Sequence, residues 1–233
     1  MAALLSGQAQ AGEKRILFLG DSQSYGMFGE ELDRLMRHQG LDVESYARGG
    51  ATPDWYTLGK KQPEPWGAVD RGRSGSVEST PQKKTPRLED LLKANPPDHL
   101  IVELSDNLAR SGWTLKKIEK VTEEFLKEFR KYSPQAKCTW VGSFNAAKKP
   151  ALLGPVLDII SDLATKYNCR FIDSRPLVTY PAQGGDQFHL DTVGEAGRKE
   201  ARSWAFKIRE LVFPVQAERG KGSTTICREC KGH

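Results

Sequence analysis

No apolar run in this chain reaches the roughly 18–20 residues that a membrane-spanning helix needs, so the sequence holds no such helix. Cysteine is scarce: four residues, of which Cys227 and Cys230 form a lone C-x-x-C in a polar tail. A zinc ribbon needs a second such pair, and His233 alone does not complete a closed site. No metal and no cofactor are therefore expected. The formal charge of +5 is modest for 233 residues. The basic residues of the tail are interspersed with acids and no recognition motif accompanies them, so nucleic-acid binding is not implied. The chain also lacks an internal repeat.

Short apolar runs alternate with helix-like stretches. Residues 15–20 carry a buried-strand pattern, and residues 29–39 place Leu32, Leu35 and Met36 on one helix face. Further strands are expected at 43–47, 99–104, 139–142 and 170–173. Helices are expected at 113–132, where Trp113, Ile118, Val121, Phe125 and Phe129 recur at near-helical spacing, and at 151–167. Thr192-x-x-Glu195 reads as a capping box opening a last helix that runs to about Val212. Such alternation predicts one α/β domain, a three-layer sandwich around a mostly parallel sheet with right-handed crossovers. The domain is expected over 13–214. Residues 1–12 read as a signal-peptide remnant or a disordered start, and 215–233 as a polar tail. Residues 60–87 form an insertion rich in Pro, Gly, Ser and charge, long for a connection within a compact domain. Cys138 and Cys169 each open an expected strand, where they could form a disulfide or remain two buried thiols.

The residues that suggest chemistry lie at the two ends of the domain. Gly20-Asp21-Ser22 follows the first strand, where open α/β sheets place their ligands. Asp186-Gln187-Phe188-His189 lies late in the chain and can bring a base and its orienting carboxylate to the same rim. A serine hydroxyl is a poor nucleophile until a base takes its proton. His189 suits that base, and Asp186 suits the group that fixes its tautomer. His38 and His99 have no fitting carboxylate before them and are assigned no catalytic role.

In four blocks the chain resembles the SGNH or GDSL hydrolases. Gly20-Asp21-Ser22 is similar to the family's first block, with Gln23 where Leu is usual. Arg48-Gly49-Gly50-Ala51-Thr52 resembles the second, and Ser105-Asp106-Asn107 the third, with Ser105 in place of Gly and Leu108 in place of Asp. Asp186-x-x-His189-Leu190 resembles the last. The resemblance implies a flavodoxin-like SGNH hydrolase fold and a Ser22–His189–Asp186 triad. It also implies an oxyanion hole built from the Ser22 and Gly50 N–H groups and the Asn107 amide, and carboxylic ester hydrolysis through an acyl-enzyme.

Trp55 and Tyr56 follow the second block and Trp66 lies in the polar insertion. Aromatic side chains at a rim can stack on sugar rings; Trp55 and Tyr56 could equally pin their loop against the sheet. No apolar stretch suggests a long acyl groove. The expected partner is an ester of a short acyl group, acetate above all, on a carbohydrate or cell-wall glycan. The expected location is periplasmic or secreted, with cytoplasmic as the alternative. A lysophospholipase or thioesterase of the same fold, a glycan O-acyltransferase and a non-catalytic glycan-binding module stay open.

Overall fold

The computed structural model describes residues 14–61, 67–81, 83–148 and 150–214. In chain order the first half comprises β1 (Arg15–Gly20), α1 (Ser22–Tyr25), α2 (Met27–His38), β2 (Asp42–Arg48), α3 (Pro53–Leu58), β3 (Ala68–Arg71), β4 (Val77–Thr80) and α4 (Leu88–Ala94). Then come β5 (His99–Glu103), α5 (Asp106–Arg110), α6 (Leu115–Tyr132), β6 (Lys137–Val141), α7 (Leu153–Lys166), β7 (Arg170–Ile172), a 3-10 turn (Leu190–Val193) and α8 (Glu195–Val212).

The sheet has the order β4-β3-β2-β1-β5-β6-β7. The pairs from β2 to β7 are parallel, while β3 and β4 add an antiparallel edge. Successive residues of β1 face opposite layers, as the strand period requires. Leu17 and Leu19 join one apolar cluster with Phe125, Phe129 and Ile160; Ile16 and Phe18 join another with Leu32, Met36 and Trp204. Helices α6 and α7 therefore cover one face, and α2 and α8 the other. Phe28 of α2 stacks on Trp204 of α8 with ring centroids 3.6 Å apart, fixing the second layer. The architecture is a three-layer α/β sandwich.

The five parallel strands follow the hydrophobic pattern closely, but the 60–87 insertion does not stay a loop. It contains the β3–β4 hairpin, which extends the sheet beside β2. Four-residue strands with charged members gave no usable alternation. Arg48, fully buried at the end of β2, anchors this hairpin through Asp70 at 2.6 Å. Lys83 binds the other oxygen of Asp70, also at 2.6 Å. The capping-box reading of Thr192 is a second correction. The last helix begins at Glu195 with Gly194 as its cap, and Thr192 serves the loop before it. Cys138 and Cys169 form a disulfide, with Cα atoms 4.5 Å apart. The β6–β7 register places Trp140 beside Phe171, which brings the two preceding cysteines together. Cys227 and Cys230 lie outside the described residues.

Candidate active site

The β1/β5 boundary is where strand order reverses, and the loops beyond the carboxyl ends of these strands lie where open α/β sheets place their ligands. Ser22 begins α1 directly after β1. Its own N–H belongs to a first helical turn, whose amides lack intrahelical acceptors. The Ser22 Oγ lies 2.9 Å from His189 Nε2, and His189 Nδ1 lies 2.5 Å from Asp186 Oδ2. Three residues from opposite ends of the domain therefore form one continuous hydrogen-bonded relay.

The loop carrying the histidine is held mostly by its own atoms. Asp186 Oδ1 accepts the backbone N–H of Phe188 at 2.9 Å and of His189 at 2.8 Å. Thr192 Oγ1 accepts the Asp186 N–H at 2.9 Å. Gln187 adopts φ +70°, a left-handed conformation uncommon outside glycine. Partial burial would raise the Asp186 pKa, but the hydrogen bonds from the His189 ring and from the His189 and Phe188 amides hold it at about 2. The carboxylate thus stays ionised and fixes the ring so that Nε2 faces the serine.

Gly50 ends the β2 loop at φ +78°, where a side chain would be strained. Gly49 donates its N–H to Gly67 O at 2.9 Å. Asn107, in α5, donates both amide hydrogens, to Asp21 Oδ2 at 3.0 Å and to Ala51 O at 3.2 Å. It thereby ties the loops after β1, β2 and β5 together. To reach an oxyanion, its amide must share or exchange the longer of these bonds.

Each departure from the family pattern has a use. Gln23 donates Nε2–H to Phe188 O at 3.1 Å, joining the serine turn to the histidine loop. Ser105 is fully buried and its hydroxyl receives the Trp140 indole N–H at 3.1 Å. Leu108 is buried in the core on the α6–α7 side. Tyr56 is a correction to the substrate-binding expectation. It is fully buried, and its hydroxyl bonds to the carbonyls of Gly20 and Tyr46. Trp55 is half-buried against the same core cluster. Trp66 lies outside the described residues.

Sequence reasoning missed several supports of this site. Arg110 is gripped by Asp106 at 2.8 Å and stacks 3.8 Å from the centroid of Phe188. Asp191 Oδ2 accepts the Met27 N–H at 2.7 Å, capping α2 from 164 residues away. Glu103 ends β5 fully buried, and an acidic residue closing an otherwise apolar strand was the one signal available for it.

No protein-family model matches the sequence, and no curated protein matches it. Solved structures do. An acetyl xylan esterase from Geobacillus stearothermophilus aligns with a TM-score of 0.59 at 14% identity, over 87% of this chain and 96% of that one. A family 3 carbohydrate esterase from Clostridium thermocellum aligns at 0.57 and 13%, over 86% and 96%. A peptidoglycan O-acetylesterase aligns at 0.56 and 12%, over 87% and 91%. The chain has the fold of the SGNH/GDSL-type hydrolases.

Proposed function

We propose that this protein is a serine carboxylic-ester hydrolase that removes short acyl groups, acetate foremost, from a carbohydrate or cell-wall glycan. One observation carries the reading: the Ser22–His189–Asp186 relay at the carboxyl edge of the sheet, beside Gly50 and Asn107. In this scheme Ser22 Oγ attacks the ester carbonyl carbon as its proton passes to His189 Nε2. The carbonyl oxygen becomes negatively charged and is met by the Ser22 and Gly50 N–H groups and the Asn107 amide. One such donor is worth about 3–4 kcal/mol, or about a hundred- to a thousandfold in rate. The tetrahedral centre then collapses, its bond to the sugar oxygen breaks, and His189 gives its proton to that oxygen, which departs as a hydroxyl. Water repeats the sequence on the acyl-enzyme, releasing the acid and restoring Ser22.

Two further observations support the substrate and setting. Acetyl xylan esterase and peptidoglycan O-acetylesterase are names borne by structures of this fold that align over most of the chain. The Cys138–Cys169 disulfide suits an oxidising compartment, in line with a periplasmic or secreted protein. A p-nitrophenyl ester series, run beside acetate release from acetylated xylan and peptidoglycan, tests the reading. Acetyl should be the best acyl group. Preference for octanoyl or longer chains would overturn the substrate class and favour a lysophospholipase or thioesterase.

A further inference from the structure

Two carboxyl groups lie beneath the nucleophile, and the reaction scheme gives neither a task. Asp21 and Glu103 are both fully buried, and their backbones are joined by the Asp21 N–H to Glu103 O bond at 3.1 Å. Asp21 Oδ1 accepts the Gln23 N–H at 2.9 Å and Oδ2 accepts the Asn107 amide at 3.0 Å. Glu103 Oε2 accepts the Ser24 hydroxyl at 2.9 Å, while Oε1 meets no donor. The two carboxyls are close enough for the charge of Glu103 to act on Asp21. Two ionised carboxylates in such contact, away from water, repel strongly; one proton between them turns the repulsion into a bond.

We propose that Glu103 is a positioning residue: it shares a single proton with Asp21, and this carboxyl pair holds the Asn107 amide and the turn that presents Ser22. The inference rests on the hydrolase reading above. Among the described residues, the groups that act on the pair include no cation. Asp106 adds negative charge and is itself taken by Arg110 through contacts of 2.8 and 3.2 Å. Tyr56 presents a hydroxyl already bonded to carbonyls, and His189 is engaged with Ser22 and Asp186. Burial raises Glu103 from 4.5 to about 7, and burial with repulsion from Glu103 and Asp106 raises Asp21 well above its ordinary value. The shared proton is therefore retained near neutrality.

The two partners are not equivalent. Glutamine at 103 can still donate to an Asp21 carboxylate and accept from Ser24. Asparagine at 21 must turn its NH2 toward one of the two N–H donors that Asp21 now accepts.

The test compares wild type with Glu103→Gln, Glu103→Ala and Asp21→Asn, measuring kcat and KM from pH 6 to 10 and Tm from pH 5 to 9. Glu103→Gln should keep kcat within about threefold at pH 7 and lose the alkaline decline that wild type shows as the shared proton leaves. Glu103→Ala and Asp21→Asn should lower kcat by about 10- to 100-fold, a fraction of one oxyanion donor's worth, with KM little changed. Folding takes up this proton, so its stabilisation is complete below the ordinary carboxyl value and is lost as pH rises through the raised value of the pair. The Tm of Glu103→Gln relative to wild type should therefore rise from pH 5 to 9, by at least about 5 °C. An unchanged alkaline limb in Glu103→Gln, or a pH-independent Tm difference, overturns the proposal. Should wild type hydrolyse no ester and take up no fluorophosphonate, the hydrolase reading fails, while the Tm comparison still judges the shared proton.

Discussion

The serine and histidine halves of the site are built in opposite ways. On the serine side, Ser24 reaches Glu103 across 79 residues, Asn107 reaches Asp21 across 86 and Tyr56 reaches Gly20 across 36, and Asp21, Ser24, Tyr56 and Glu103 are buried. On the histidine side, Asp186 binds Phe188, His189 and Thr192, all within 6 residues. Its partners are open to solvent, with 30% of the His189 side chain and 40% of the Asp186 side chain exposed. Ser22 is thus presented by the tertiary structure, whereas His189 is held mainly by its own loop, which docks onto the serine turn. A change in the loop should cost turnover and spare the fold. A change beneath the serine should cost both.

The largest effects test that division directly. Ser22→Ala and His189→Ala should each lower kcat by about 10⁴-fold or more with Tm unchanged within about 2 °C, since both delete relay members while leaving the core intact. Asp21→Ala, by contrast, should lower kcat and Tm together, because it strips the Gln23 and Asn107 donors of their buried acceptor. Equal Tm losses for His189→Ala and Asp21→Ala would erase the distinction.

Next comes Asp186→Asn, expected to cost about 10²- to 10⁴-fold in kcat through loss of the tautomer-fixing acceptor. With Asp186 held at about 2, its contribution to stability is present above the ordinary carboxylate value of 3.8 and lost only as pH falls toward 2. Any acid limb in the rate at higher pH accordingly reports another group. A limb abolished by Asp186→Asn between pH 4 and 7 would contradict this.

Smaller effects probe the seam between the halves. A Cβ at Gly197 would lie 1.8 Å from Leu190 O, so α8 can approach the turn after His189 only through glycine. Gly197→Ala should push that turn away and lower kcat by about tenfold, the scale expected of a slight misplacement of a catalytic group. Gln23→Leu, which removes the hydrogen bond to Phe188 O, should lower kcat several-fold with little change in Tm. Smallest for turnover is the disulfide. Its 31-residue separation implies about 3–4 kcal/mol of stability. Reduction, or a paired Cys138→Ser and Cys169→Ser variant, should lower Tm measurably and leave kcat unchanged, because the bond joins β6 and β7 away from the relay.

The same contrast explains what was legible in the sequence. Asp186 and His189 stand three residues apart, so a local motif carries their pairing into view, and the strand patterns of β1, β2, β5, β6 and β7 locate the rim. Thr192 was misread because a hydroxyl three residues before a glutamate satisfies the capping pattern whether or not the helix starts there. Here Gly194, at φ +76°, takes the cap and frees Thr192 for Asp186. The β3–β4 hairpin escaped because its short strands draw their order from pairing with β2. Tyr56 resembled a rim aromatic until the Gly20 and Tyr46 carbonyls were seen to take its hydroxyl. Gln23 and Ser105 registered only as departures from a pattern, since their partners, Phe188 and Trp140, are distant in sequence.

Labelling with a fluorophosphonate, followed by mass-spectrometric mapping of the modified peptide, tests most directly whether Ser22 is a nucleophile activated by His189. A single adduct on Ser22 is expected, absent in Ser22→Ala and formed far more slowly in His189→Ala. An adduct elsewhere, or labelling of Ser22 at an undiminished rate without the imidazole, would contradict the account.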